Sequence, residues 1–161
     1  MKNEVRKEER FEFGRNWTNY SALIDPTRVF EAEQSLVTMF QRSDFIGKTF
    51  LDVGCGSGIF SLAARNLGAE VFSFDIDPNS LNCTRALKMR YDKEDENWKI
   101  HSGSILDKKF IGKTGQYDFV YCWGVAHHTG EMMQALDNLS QVVRDEGLLF
   151  VAIYNLSLIH I

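Results

Sequence analysis

From residue 49 onward the chain alternates two hydrophobic patterns. Short apolar runs end in glycine or an acidic residue, and longer stretches place apolar residues every three or four positions. The short runs at 49–53, 70–74, 98–101, 117–122 and 148–154 read as strands. The longer stretches read as helices: 59–67, stopped by Gly68; 78–90, opened by Asp77-Pro78; and 129–144, stopped by Gly147. The last of these places Met133, Leu136, Leu139, Val142 and Val143 on one face. Upstream, Asp25-Pro26 opens another helix, with Asp as N-cap and Pro at the first helical position. Val29, Phe30, Leu36, Val37 and Phe40 follow at helical spacing, the helix runs to about Ser43, and Gly47 marks the turn.

Strands that alternate with helices need crossover connections, which build a parallel sheet with helices on both faces. The expected fold class is therefore α/β, a Rossmann-like, doubly wound, mainly parallel sheet with an N-terminal helix. Such sheets bind ligands at the carboxyl ends of their strands. The residues that stand out for chemistry all fall there: 52–58, Asp75, 102–104 and 122–128.

Composition narrows the class further. The chain has 161 residues, 44% hydrophobic and 25% charged, with a formal net charge of -4. That suits one folded domain and gives no sign of the basic surface that grips nucleic acid. The three cysteines, Cys55, Cys83 and Cys122, are far apart and form no CxxC pair, so neither a disulfide framework nor a metal site is expected. The densely charged first ten residues do not resemble a secretory signal. No apolar run approaches the roughly 20 residues that span a bilayer. A cytoplasmic location is the expectation.

The segment Asp52-Val53-Gly54-Cys55-Gly56-Ser57-Gly58 follows the first strand and opens the next helix. Its glycines allow a sharp turn and close approach of a ligand to bare backbone, and the helix start offers free N–H groups. Dinucleotides and S-adenosylmethionine both use such loops. The dinucleotide fingerprint is G-x-G-x-x-G, whereas here the spacing is G-x-G-x-G and position 59 is Ile. Asp52 at the strand end would repel a passing pyrophosphate but suits the ammonium and sulfonium of S-adenosylmethionine. Asp75 ends the second strand, where a carboxylate can accept both ribose hydroxyls. Ile76 can pack on an adenine face or fill the core, and Asp77 suits a helix N-cap.

These residues identify a resemblance to the class I S-adenosylmethionine-dependent methyltransferases. The branch it is similar to is that of the small-molecule, ubiquinone-biosynthesis-like O-methyltransferases. It runs from about Thr49 to Tyr154. The segment 52–58 matches the family's first motif, and Phe74-Asp75-Ile76-Asp77 looks like the second-strand acidic motif. Gly103-Ser104-Ile105-Leu106-Asp107 resembles the segment that meets adenine, with Ser104 where many members carry Asp. Cys122-Trp123-Gly124-Val125 resembles the loop that borders the methionine moiety. The resemblance implies a donor site of Asp52, Gly54, Cys55, Gly56, Gly58, Asp75, Ile76, Ser104, Ile105, Cys122 and Trp123, with S-adenosylmethionine as cofactor.

His127 and His128 follow the fourth strand, near where an acceptor would sit. Either is a candidate base for a hydroxyl acceptor. His128 aligns better with the histidine of related O-methyltransferases and ranks first. Helix capping beside Thr129 is the plain alternative. The aromatic stretch with Phe11, Phe13, Trp17 and Tyr20 can fold over the cofactor or pack on the sheet.

The expected organisation is an N-terminal segment and helix at 1–45, a methyltransferase core at 46–155 and an unrelated tail at 156–161. The family sheet normally has seven strands and the pattern supplies five, so the chain reads as C-terminally truncated. The function expected is methyl transfer to a small-molecule acceptor, through oxygen. Two alternatives stay open: a non-catalytic S-adenosylmethionine-binding fragment or partner subunit, and an NAD-dependent oxidoreductase.

Overall fold

The computed structural model describes residues 23–91 and 96–154. The N-terminal aromatic stretch and the 156–161 tail lie outside these residues. Five strands form one wholly parallel sheet in the order β3-β2-β1-β4-β5. They are β1 (Thr49–Val53), β2 (Glu70–Asp75), β3 (Trp98–Ser102), β4 (Tyr117–Trp123) and β5 (Val143–Ala152). The chain winds outward from β1 through β2 to β3, then returns to the other side of β1 for β4 and β5. The switch point lies between β1 and β4, where open α/β sheets place their ligands.

The central strands alternate their side chains between two cores, as the two-residue strand period requires. Phe50, Val71, Trp98, Phe119 and Tyr121 face one side. Against them pack helices α1 (Pro26–Phe40), α2 (Ile59–Asn66) and α3 (Pro78–Tyr91), through Leu36, Phe40, Leu62, Ala63 and Leu87 among others. Leu51, Phe74, Val120 and Cys122 face the other side, against α4 (Lys108–Thr114) and α5 (Met132–Gln141).

Asp25 caps α1 as expected, its side chain accepting the Arg28 N–H at 2.9 Å. The helix stops at Phe40 rather than near Ser43, because Gln41 turns left-handed (φ 52°) and the Arg42 N–H closes back on the Val37 carbonyl.

The structure differs from the pattern reading in two further places. Helix α4 was not evident: it holds only seven residues, Gly112 interrupts it, and two apolar residues are too few for a period. Its signal was the N-cap Asp107, which accepts the Lys109 and Phe110 N–H groups. At the other site the helical stretch 129–144 is split. A 3-10 turn occupies Ala126–His128, and α5 spans Met132–Gln141. Val142 and Val143 fit a helical face by spacing, but Val143 pairs with Tyr117 in the sheet. Residues 144–147 bulge out between that pair and Phe119–Leu148, with Glu146 at φ 63°. Pairing to β4 overrides a helical period of only one extra turn.

Candidate active site

Three chain segments meet at the carboxyl ends of β1, β2 and β4. The glycine loop leaves β1 and is bound to β2 by backbone: the Gly54 and Cys55 N–H groups both donate to the Phe74 carbonyl, at 2.8 and 3.1 Å. Gly56 N–H donates to Asp75 Oδ2 at 3.0 Å, and the other Asp75 oxygen accepts the Asp77 N–H at 2.9 Å. From α3, Thr84 donates its hydroxyl to the Gly56 carbonyl at 3.0 Å. The one hydroxyl proton is thereby used, so the Cys55 thiol donates to Thr84 Oγ1 across 3.3 Å. Burial pushes the Cys55 thiol well above its ordinary range, so it stays protonated and inert.

Two glycines of the loop are required by space as well as by φ. A Cβ on Gly54 (φ 71°) would stand 2.3 Å from Val125 Cγ2. One on Gly58 (φ 81°) would stand 2.8 Å from Thr84 Cγ2. The Val125 contact joins the loop after β4 to the loop after β1, across the switch point. The histidine pair therefore shares a rim with the glycine loop.

Asp52 is buried, 2% exposed, and faces α2 rather than open solvent. Its Oδ2 accepts the Ser61 hydroxyl at 2.5 Å. Burial raises its carboxyl to about 7; the Ser61 hydrogen bonds oppose that rise and the Asp75 charge adds to it. Asp75 is raised as well, first by burial, with the Asp77 and Gly56 N–H groups pulling the other way. Asp77 caps α3, accepting the Ser80 N–H and hydroxyl, both at 2.9 Å.

The remaining expected positions divide by exposure. Ile76 is 56% exposed, so its side chain does not fill the core. Ser104 stands two residues past the end of β3, its hydroxyl accepting the Leu106 N–H at 3.2 Å. The side chains of Ile105 and Cys122 belong to the second core, so a ligand would meet only their backbone. Trp123 is 40% exposed at the rim and donates its indole N–H to the Tyr154 hydroxyl.

The two histidine rings lie 4.0 Å apart between centroids, and the Tyr154 ring meets His127 edge-on at 5.2 Å. Both ring nitrogens of His127 are shielded from solvent and have no hydrogen-bond partner among the described residues. Desolvation, then the neighbouring His128, lowers the His127 pKa, so this imidazole is neutral at pH 7. His128 is exposed.

The spacing of motifs did not reveal four further residues that brace the loop and Asp52 through hydrogen bonds. Ser61, Ser73 and Thr84 look like ordinary small residues in helix or strand, and Trp98 looks like core. The one legible signal of the three hydroxyl residues was polarity on faces that otherwise read as apolar.

A doubly wound sheet with a glycine loop and acidic residues at its switch point defines the class: a Rossmann-like nucleoside-binding domain of the methyltransferase type. The methyltransferase domain family matches residues 26–160, and the chain belongs to it. The methyl donor of that family is S-adenosylmethionine.

Among curated relatives, the chain is 34% identical over 139 residues to a ribosomal protein L11 methyltransferase of Prochlorococcus marinus, covering 82% of this chain and 45% of the relative. It is 27% identical over 139 residues to a ubiquinone biosynthesis O-methyltransferase of Colwellia psychrerythraea, covering 84% and 55%. The chain thus spans about half the length of these two relatives. A solved putative S-adenosyl-L-methionine-dependent methyltransferase of Methanococcus maripaludis shares the fold, with a TM-score of 0.69 at 13% identity over 92% of this chain and 67% of that one. The magnesium protoporphyrin IX methyltransferase of Synechocystis, solved with bound S-adenosylhomocysteine, gives 0.64 at 16% identity over 82% and 64%.

No helix among the described residues is long and apolar enough to cross a membrane.

Proposed function

We propose that this chain carries the donor site of an S-adenosylmethionine-dependent methyltransferase that methylates a small-molecule acceptor at oxygen. The observation that carries the donor reading is the pair of carboxylates, buried Asp52 and half-buried Asp75, flanking the glycine loop. Such a loop favours a cationic, hydroxyl-rich ligand over a pyrophosphate, which argues against the NAD reading. Asp52, Gly54 and Gly56 would hold the methionine end, with Cys55 and Gly58 completing the turn. Asp75 would take the ribose hydroxyls, since each of its oxygens has a lone pair beyond the one N–H it accepts. Ile76, Ser104 and the Ile105 backbone would border the adenine, while Trp123 and the Cys122 backbone would border the methionine.

S-adenosylmethionine supplies an electrophilic methyl carbon on a positive sulfur, so the protein's task is to align the acceptor and exclude water. A hydroxyl acceptor forms the new O–CH3 bond as the S–CH3 bond breaks, and the bond pair leaves with sulfur. His127 or His128 would take the hydroxyl proton. The ring nitrogens of His127 have no hydrogen-bond partner among the described residues, and in the neutral imidazole one of them can accept that proton.

A protein acceptor is a second reading, favoured by the 34% identity to the ribosomal protein L11 methyltransferase.

Calorimetric titration with S-adenosylhomocysteine tests the donor site, and micromolar binding is expected. No binding by folded protein would overturn it. Assaying methyl transfer from labelled donor to phenolic and peptide acceptors separates the two acceptor readings.

A further inference from the structure

The Asp52 carboxylate is the end of a line of hydrogen bonds that joins four elements. Trp98 Nε1 on β3 lies 2.8 Å from Ser73 Oγ on β2. Ser73 Oγ lies 2.7 Å from Ser61 Oγ on α2, and Ser61 Oγ lies 2.5 Å from Asp52 Oδ2 on β1. All four residues are at most 2% exposed.

With Asp52 ionised, the proton order along this line is forced. An indole nitrogen only donates, so Ser73 accepts from Trp98 and has its own proton to give. Ser61 gives its proton to the carboxylate, so it accepts from Ser73. Every donor points the same way, from Trp98 toward Asp52. A chain with all its dipoles aligned strengthens the last bond, the one onto the anion. The placement follows from the sheet: Asp52 and Ser73 are register partners on neighbouring parallel strands, and Trp98 is the partner of Val71, two residues before Ser73. Their side chains share the α2 face, where Ser61 is 0% exposed.

A fully apolar row would have packed this interface without three buried polar side chains. Burying them is tolerable only because the line is closed at every joint. What the line holds in place is the one carboxylate directly before the glycine loop.

We propose that Trp98, Ser73 and Ser61 are positioning residues for donor binding: they fix the Asp52 carboxylate as the acceptor for the amino group of the methionine moiety. This rests on the donor-site reading above. The line serves the amino-acid end of the ligand and leaves the adenosine end, held by Asp75, untouched.

The experiment compares two ligands by calorimetry on the full chain: S-adenosylhomocysteine, which has the amino group, and methylthioadenosine, which lacks it. Ser61→Ala removes the donor nearest Asp52, and Trp98→Phe removes the far donor while keeping a ring in the core. Thermal melts confirm that each variant is folded. The expected result is about tenfold weaker S-adenosylhomocysteine binding for Ser61→Ala, the usual consequence of losing a hydrogen bond to a charged group. A smaller loss of about threefold is expected for Trp98→Phe, with methylthioadenosine affinity unchanged in both. Equal loss for both ligands would mean a merely structural role and would overturn the proposal, as would unchanged S-adenosylhomocysteine affinity. The substitutions break opposite ends of the line, so either folded variant decides. Failure of the unmodified protein to bind either ligand would instead overturn the donor-site reading.

Discussion

Asp75 Oδ2 accepts the Gly56 backbone N–H at 3.0 Å, so the carboxylate proposed for the ribose also holds the glycine loop. In the proposed donor site one residue would therefore serve both the shape of the loop and its ligand. Asp75→Ala should weaken S-adenosylhomocysteine binding by about 1–3 kcal/mol, the cost of stranding hydrogen-bonding groups. Calorimetry checks this, and an unchanged dissociation constant would mean the ribose is held elsewhere.

Asp52 should cost the fold stability at neutral pH. Its carboxyl titrates near 7 instead of 3.8, because burial disfavours the charged form. The folded chain therefore binds this proton more tightly than the unfolded chain does. Stability falls as pH rises from about 4 to 7, by an amount on the order of 4 kcal/mol once above that range. Asp75 on β2, Cys55 in the loop, and Tyr121 and Cys122 on β4 are electrostatically coupled to it, and none brings a positive charge. Asp52→Asn should melt above the unmodified protein at pH 8, with the gap closing toward pH 5, yet bind S-adenosylhomocysteine at least tenfold more weakly. Melting curves across pH, set beside the binding isotherms, would expose a variant that loses stability instead.

Gly54 and Gly58 in the loop should tolerate almost no side chain. Gly58→Ala combines a left-handed backbone (φ 81°) with a Cβ 2.8 Å from Thr84 Cγ2 and 3.1 Å from the Thr84 backbone. The side chain cannot swing clear without releasing its bond to the Gly56 carbonyl. A loss of about 2 kcal/mol or more is expected from strain and the displaced contact. Chemical denaturation checks it. Thr84→Val, which keeps the volume and removes the hydroxyl, should by itself cost about 1 kcal/mol.

Much of this architecture was legible before the structure, and the parts that were not share a cause. The glycine loop, Asp75 and the strand starts at Thr49, Glu70, Trp98 and Tyr117 stand out because they break local patterns: glycine clusters, an acid ending an apolar run, turns between periods. Helix α4 is too short to display a period. Val142 and Val143 satisfied a helical spacing until pairing with β4 claimed them. The line from Trp98 to Asp52 joins residues 52, 61, 73 and 98, which only the sheet register brings together. Sequence spacing carries no information about such a contact.

Asp118 gives a contrast, because it sits at the start of β4, away from the ligand rim. Its Oδ2 accepts the Thr49 N–H and hydroxyl, both at 2.9 Å, and pairs with Arg144 at 3.0 Å. Burial alone would raise its carboxyl, but the Thr49 bonds and the charges of Arg144 and Lys48 outweigh it and hold the group below 3.8. A carboxylate lowered by the fold stabilises it above the ordinary value, and that stabilisation is lost as pH falls through the lowered one. Asp118→Ala should therefore destabilise the fold by about 1–2 kcal/mol at pH 7, less near pH 3, while S-adenosylhomocysteine binds as before. Melting temperature and dissociation constant, measured on the same samples, test both halves. A weakened dissociation constant would show that the amino and carboxyl ends of the sheet are coupled, and the Asp75 and Asp52 effects would then need correcting for that coupling before being assigned to the site.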